Sequence, residues 1–375
     1  MIKRVISIAI CILISLSLIG CWNYRGLNQM TIITGIAIDK TEEGKYYLSM
    51  EAVDTSSDKG AGTKAKMIEC EGHSILDAFR NAKRRSTNKL YIGHAQLIIV
   101  SYQIAMEDGI LSIMDLFLGD SETRETNYIV ISQEITAKKL LSIYGMNNSI
   151  VSYEIVEIID EDSMITLSTS ALYIYEVYNI IKSDYQELSL AAFHVAVNDE
   201  IEVIELNGTA VFKSDKLTGY MDPFESKFFL FAIDEVKGGL LTFNYQDNIV
   251  TGEILESKTK ISYKYEDGKF KFILKPKTTI NIAEIIGEAD LLDDKVKNDI
   301  IACAEEYVKQ NITSIIYKLQ TEFESDILGF GEVIYLKDPK LWNSVKGDWY
   351  KYFCSAEVEI QPEVSIENTA FLKKM

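Results

Sequence analysis

Nine apolar residues, Leu292, Val296, Ile300, Ala304, Val308, Ile312, Ile315, Leu319 and Phe323, step by three or four along the chain. An α-helix turns once every ~3.6 residues, so all nine share one face of a helix of about nine turns. A stripe that long must be covered. The stretches around it read as strands: 239–246, 250–256, 258–265 and 269–282 before it, and 353–360 after it. The expected arrangement is a long amphipathic helix laid across a sheet in the C-terminal part of the chain.

The N-terminal half reads as alternating strands and helices. Strands are expected at 31–39 and 45–53, joined at Glu43-Gly44, with a loop at 54–66 and a short extended piece at 67–70. Ser74 opens a helix that places Ile75, Ala78, Phe79 and Ala82 on one side. The run Leu97-Ile98-Ile99-Val100 suits a strand buried on both faces. A helix at 110–118, a strand at 128–132 and helices at 137–144, 150–159 and 170–182 follow. Extended segments come next at 188–197, 201–213 and 217–220, and Pro223 then opens a helix reaching about Val236. The fold class is therefore α+β, with three mixed sheet-plus-helix domains at 21–198, 199–267 (β-rich) and 268–375.

Residues 1–20 read as a signal peptide. Met1-Ile2-Lys3-Arg4 is a short basic start, and 5–19 is an apolar run too short for a comfortable membrane span. Leu18-Ile19-Gly20-Cys21 has the form of a bacterial lipobox. The small Gly20 gives a peptidase access to the bond before Cys21, and the Cys21 thiol is the lipidation site. Two or three acyl chains, at ~0.8 kcal/mol per buried methylene, hold a protein almost permanently.

The chain carries 38 Lys+Arg against 56 Asp+Glu, a net charge of -18. Loss of residues 1–20 removes Lys3 and Arg4, leaving 36 against 56 and a charge of -20. A body this acidic does not bind nucleic acid by neutralising phosphates, and as a whole it is repelled by an anionic membrane. Attachment then requires an anchor or a protein partner. Arg80, Lys83, Arg84 and Arg85 form the one basic cluster along the sequence. They are either a solvated helix face or a candidate interaction face for an acidic partner or lipid headgroups.

No catalytic constellation is visible. His73, His94 and His194 are far apart, and Cys70-Glu71-Gly72-His73 would be only half of a zinc site. His94, beside the apolar run, reads as a hydrogen-bonded core residue. Cys70, Cys303 and Cys354 are too few and too scattered for a disulfide framework. There is no phosphate-cradling glycine loop, nucleophile elbow or dinucleotide fingerprint. Asp160-Glu161-Asp162 lacks the spacing of a calcium loop and reads as a solvated helix end. The expectation is no enzyme, no cofactor and no metal.

Several stretches taken together resemble one family. They are Gly20-Cys21-Trp22-Asn23-Tyr24-Arg25 with Gly35-Ile36-Ala37-Ile38-Asp39; Glu71-Gly72-His73-Ser74 through to Lys89-Leu90-Tyr91-Ile92-Gly93-His94-Ala95-Gln96; Asp120-Ser121-Glu122-Thr123-Arg124; Gly208-Thr209-Ala210-Val211-Phe212-Lys213 with Leu217-Thr218-Gly219; and the long helix followed by Trp342. In order and spacing they are similar to the Ger(x)C family, the C-subunit lipoproteins of spore germinant receptors. The resemblance implies three α+β domains anchored on the outer face of the spore inner membrane. It also implies partnership with A-type and B-type membrane subunits in a nutrient-responsive complex needed for germination. The alternative is a solute-binding lipoprotein of a transporter, which would need two similar lobes around a ligand cleft.

Overall fold

The computed structural model describes residues 29–54, 64–119, 122–143 and 150–367, with a few isolated positions besides. Cys21 and the rest of the lipobox lie outside the described residues.

The first sheet has ten strands. β1 (Met30–Lys40), β2 (Tyr46–Asp54) and β3 (Lys64–Gly72) form an antiparallel meander. Helix α1 (Ile75–Ala82) then leads to β4 (Lys89–Tyr91) and β5 (Leu97–Ser101), both parallel to β1. Helices α2 (Tyr102–Glu107) and α3 (Leu111–Gly119) precede β6 (Tyr128–Ser132), which pairs parallel with β5. Helices α4 (Ala137–Leu141) and α5 (Val151–Ile165), strand β7 (Leu172–Tyr173) and helix α6 (Ile174–Lys182) follow. The sheet is completed by β8 (Ser189–Asn198), β9 (Ile201–Lys213) and β10 (Lys216–Met221), in the order β10-β9-β8-β6-β5-β1-β2-β3.

Helices cover both faces of this sheet. Ile98 and Val100 of β5 pack into a core with α1, α2, α3 and α6, while Leu97 and Ile99 pack into another with α4 and α5. That is why all four residues of the run are apolar: each side of the strand faces a helical layer.

Helix α7 (Pro223–Ala232) opens with Asp222 accepting from the Glu225 N–H, and it leads into the second sheet. β11 (Leu240–Tyr245), β12 (Asn248–Glu266) and β13 (Lys269–Ile286) are antiparallel neighbours. Helix α8 (Asp294–Lys318) runs on through a π-helical turn to Phe323. Helices α9 (Phe330–Lys337), α10 (Pro339–Val345) and α11 (Trp349–Ser355) follow, then β14 (Glu357–Ile360) and β15 (Glu363–Ile366), both parallel to β13. The expected stripe is the buried face of α8: Ile300, Ala304, Val308, Ile312, Ile315, Leu319 and Phe323 are buried in one core with Phe270, Phe272 and Leu274 of β13. Leu292, 85% exposed, precedes the helix and is the exception.

Local differences have physical causes. The separate strands expected at 250–256 and 258–265 are one strand, β12, with irregularities at Thr251/Gly252 and Ile254/Glu256. A bulge adds a residue and breaks the alternation that marks a strand in sequence. Residues 353–355, expected to be extended, end helix α11, where Trp349 and Phe353 bury one turn apart. The helix after Pro223 stops at Ala232, because the chain turns at Asp234 with φ +66°. Strand pairing groups the chain into two sheets. The expected boundaries at 198/199 and 267/268 fall at hairpin turns, where Asp199 and Glu200, then Asp267 and Gly268, take left-handed conformations.

Buried carboxylates tie distant helices to the first sheet. Asp39 on β1 accepts from the N–H groups of Ala137 (2.6 Å) and Lys138 (2.9 Å), satisfying the start of α4. Its pKa is raised by burial, against the pull of those two N–H groups. Glu51 on β2 does the same for α5, accepting from the Val151 N–H at 2.6 Å. Asp162, expected in a solvated helix end, is buried and accepts from the Ser168 (2.9 Å) and Thr169 (3.1 Å) N–H groups. It folds the chain back as α5 ends.

Candidate functional site at the junction of the two sheets

Two segments meet between the sheets. Residues 183–188 join α6 to β8, and residues 324–329 join the end of α8 to α9. The Glu187 N–H donates to the Asp326 carbonyl at 3.2 Å. Ser325 Oγ donates to the Phe212 carbonyl at 2.5 Å, and the Lys213 ammonium meets Glu324 at 2.9 Å. The Glu187 carboxylate accepts from the Ser214 N–H. One short loop is thus fastened to both sheets.

Asp326 lies at the centre. Helix α9 begins after Gly329, whose φ is +72°, and its first N–H groups have no partner within the helix. Asp326 accepts from the N–H of Phe330 (3.1 Å) and of Gly331 (2.8 Å), and from the Trp349 indole N–H (2.9 Å). Burial pushes its pKa up to about 7, although these three donors pull the other way, and nearby Glu187 adds a smaller push. Burial also raises Glu187, against the Ser214 N–H and the Lys213 charge. Asp184 sits lower than an ordinary carboxyl, chiefly because the Lys346 ammonium bonds to it at 2.6 Å; it also accepts from the Trp342 indole at 3.2 Å.

Packing across the junction is close. Tyr185 stacks on Tyr335 with ring centres 4.8 Å apart. A Cβ on Gly331 would lie 2.4 Å from the Tyr185 carbonyl oxygen and 3.0 Å from the Trp342 ring, so only glycine fits. Beside this contact a cleft of about 230 Å³ is lined by Asp184, Tyr185, Gln186, Glu187, Asp326 and Trp349. A second hollow of about 290 Å³ shares Ser183, Tyr185 and Gln186 and reaches Glu332. The carboxylates here already accept N–H donors, an arrangement suited to fixing two bodies together and coupling their positions. Among the described residues no three His, Cys, Asp or Glu side chains gather as metal ligands.

The basic cluster at α1 divides into two pairs. Lys83 donates to the carbonyls of Ser86, Thr87 and Asn88, and Arg85 donates to the Glu69 carbonyl at 2.5 Å. These two close their own loop. Arg80 and Arg84 are exposed and, among the described residues, their side chains make no hydrogen bond or ion pair. His73 is exposed, and His194 lies 2.9 Å from Glu205. His94 is half-buried, with its ring edge-on to Tyr153. Cys70, Cys303 and Cys354 are free thiols. Asp184, Glu187 and Asp326 do not stand out in sequence among 56 acidic residues. The one local signal is an aspartate shortly before the apolar start of a helix.

Two family models match most of the chain. Residues 23–195 match the family model described as the spore germination protein N-terminal domain, and residues 207–370 match the one described as spore germination B3/GerAC like, C-terminal. The chain belongs to this spore germination family. The division between the two matches, 195–207, falls in the β8–β9 hairpin. Spore germination protein KC of Bacillus subtilis (strain 168) is 22% identical, with 98% of this chain and 97% of the relative covered. Spore germination protein B3 of the same organism is 22% identical over 94% of each chain. The crystal structure of the GerBC protein superposes with a TM-score of 0.61 at 19% identity, covering 89% of this chain and 97% of that one. The Ger(x)C resemblance and the α+β class are thereby established. No helix among the described residues is long and apolar enough to cross a membrane.

Proposed function

We propose that this chain is the lipid-anchored, non-catalytic subunit of a nutrient germinant receptor complex in the spore inner membrane. It is attached through Cys21 and works with A-type and B-type membrane subunits. The observation that carries this reading is the position of the lipobox, which ends two residues before the first residue of a family match spanning almost all of the remaining chain. Acyl chains on Cys21 confine the acidic body to the outer face of the membrane despite its charge. Confinement raises its effective concentration toward partners in the same bilayer. The junction around Asp326 gives the body a stiff connection between its two sheets, which suits a part that assembles and couples rather than reacts.

The test is Cys21→Ser in a spore former. The variant is expected to leave the membrane fraction or to persist as uncleaved precursor, with sporulation intact and nutrient-triggered germination reduced. Unchanged membrane retention and mobility would overturn the anchor. Undiminished germination with every nutrient, in a strain whose other germinant receptors are deleted, would overturn the receptor role.

A further inference from the structure

An apolar slot opens between α1 and α3. It is lined by Leu76 and Phe79 of α1, Leu116 and Phe117 of α3, Ile36 of β1, and Thr123. Its enclosed room is about 20 Å³, on the order of one water molecule. It therefore takes the end of one side chain and not a whole small molecule. Two features mark the slot as unfinished. Thr123 Oγ1 is buried and has no hydrogen-bond partner among the described residues, and a buried hydroxyl without a partner is costly. Helix α3 is apolar on most sides: Ile113, Met114 and Phe117 are buried, yet Leu116 and Leu118 are only half-buried, and Leu76 across the slot is 39% exposed. A helix apolar on most sides asks for cover on more than its inner face.

Free guanidinium groups stand beside the slot from two different segments. Arg80 is one turn on from Leu76 along α1, so the two share a side of the helix. Arg124 follows Thr123 directly. Both are exposed, and among the described residues neither side chain makes a hydrogen bond or ion pair. Four of the chain's six arginines lie between 80 and 124, and no carboxylate occurs between Asp77 and Glu107. The nearest carboxylates are engaged elsewhere: Asp77 accepts from the His73 N–H at 2.9 Å, and Glu122 is paired with Lys89.

We propose that an acidic segment of a second protein docks on α1 and α3, with one aliphatic side chain in the slot and its carboxylates on Arg80 and Arg124. Arginine is the residue suited to this, because its planar fork meets a carboxylate with two parallel hydrogen bonds and is enriched at protein interfaces. A discrete segment fits better than an anionic lipid surface: Glu71 and Glu125, both exposed nearby, would be repelled by a continuous sheet of phosphates but leave room for carboxylates placed at the two arginines. The chain's own ends do not supply the segment, since residues 21–29 and 368–375 hold no acidic side chain and carry Arg25, Lys373 and Lys374. The inference deepens the receptor reading above, and rests on it only for the membrane in which the partner is sought.

The experiment uses the full chain in a spore former, with Leu76 replaced by the photo-crosslinker p-benzoyl-phenylalanine. A control strain carries the same replacement at Tyr317, which is 66% exposed on α8. Isolated spore membranes are irradiated, and crosslinked peptides are sequenced by mass spectrometry, with yields normalised to the amount of the chain. Position 76, and not 317, is expected to join a peptide of another protein in which an aliphatic residue is flanked by Asp or Glu. Arg80→Glu with Arg124→Glu should lower that yield at least about fivefold, the size of two charge contacts at an interface rim. Lysine in place of the flanking carboxylates of the partner should restore it. If the Leu76 variant does not accumulate, Glu125, exposed beside Arg124, carries the crosslinker instead. A yield no higher than at Tyr317 overturns the proposal, and so does a yield unchanged by the charge reversal. Crosslinks to lipid, to a second copy of this chain or to a peptide without Asp or Glu also overturn it. An acidic peptide from a protein other than the A-type and B-type subunits upholds the slot and counts against the receptor reading alone.

Discussion

The Glu51 carboxylate grips the first turn of helix α5 at Ser152, accepting from the Ser152 N–H at 3.0 Å and from Ser152 Oγ at 2.5 Å. The two residues are 101 positions apart, and Glu51 is 1% exposed. Thr34 Oγ1 and the Val151 N–H complete the ring of donors. Glu51→Ala would leave these four donors buried without an acceptor. The expected loss is about 3 kcal/mol, since each charge-assisted hydrogen bond contributes ~1.5–3 kcal/mol and the site relaxes only in part. Glu51→Gln keeps one acceptor oxygen and should cost less. Thermal unfolding of both variants checks the order; an alanine variant as stable as the wild type would refute the role.

Asp326 makes the junction pH-sensitive. Its pKa is about 7 in the fold against 3.8 when free, so between these values the folded protein binds more protons than the unfolded chain. Stability from this group is greatest below pH 3.8 and falls as pH rises toward 7, by at most ~1.4 kcal/mol per pH unit. Asp39 and Glu187, both raised by burial, slope the same way above the ordinary carboxylate range. Asp326→Asn removes the Asp326 part. The difference in unfolding midpoint between wild type and variant is therefore expected to shift in the variant's favour from pH 5 to pH 7.5. A constant difference across that range would show that Asp326 titrates normally.

How much of the fold and the junction is legible in the sequence depends on the range of the signal. The α8 stripe and the Leu97–Ser101 strand are legible because helix and strand periods are local, and each run is long or pure enough to show its period. The lipobox at Gly20-Cys21 is proposed from adjacent residues alone and lies outside the described residues. What stays hidden is long-range. Asp162 and Asp326 look like any other acidic residue until a backbone N–H is brought against them. Strand β12 reads as two strands because a bulge shifts its alternation. The slot shared by Leu76 and Thr123 appears only when α1 and α3 pack on the first sheet. The end of helix α11 reads as extended because a short apolar run fits either period until its neighbours select one.

Gly331 is where α9 touches the loop of Tyr185 most closely. Gly331→Ala would force a Cβ to 2.4 Å from the Tyr185 oxygen, and backbone there cannot swing aside as a flexible side chain could. Overpacking of this kind costs about 1–3 kcal/mol. The damage should be local, loosening the contact between the sheets before either sheet unfolds. Trp342 and Trp349 flank the site and should report it as a red-shifted, more quenchable fluorescence, with earlier proteolytic cleavage near 183–188. A stable variant with unchanged fluorescence would show that the loop has room to move.

The basic cluster at the end of α1, with Arg80 on the helix and Lys83, Arg84 and Arg85 in the 3-10 turn that follows, makes a separable prediction. Lys83 holds three carbonyls of its own loop, so Lys83→Ala should lower stability by about 1 kcal/mol, the net value of the hydrogen bonds lost. Arg80 and Arg84 reach into solvent, and replacing both with alanine should leave the unfolding midpoint within ~0.5 kcal/mol of wild type. If these two arginines face a partner, the double variant will fold normally and accumulate normally in spores, yet germinate more slowly with nutrients. Restoring charge with lysine at both positions should recover most of the rate if the contact is simple attraction, and little of it if the guanidinium fork pairs with a carboxylate. Normal germination of the alanine double variant would identify this face as a solvated surface and leave Arg85 and Lys83 as parts of the loop they close.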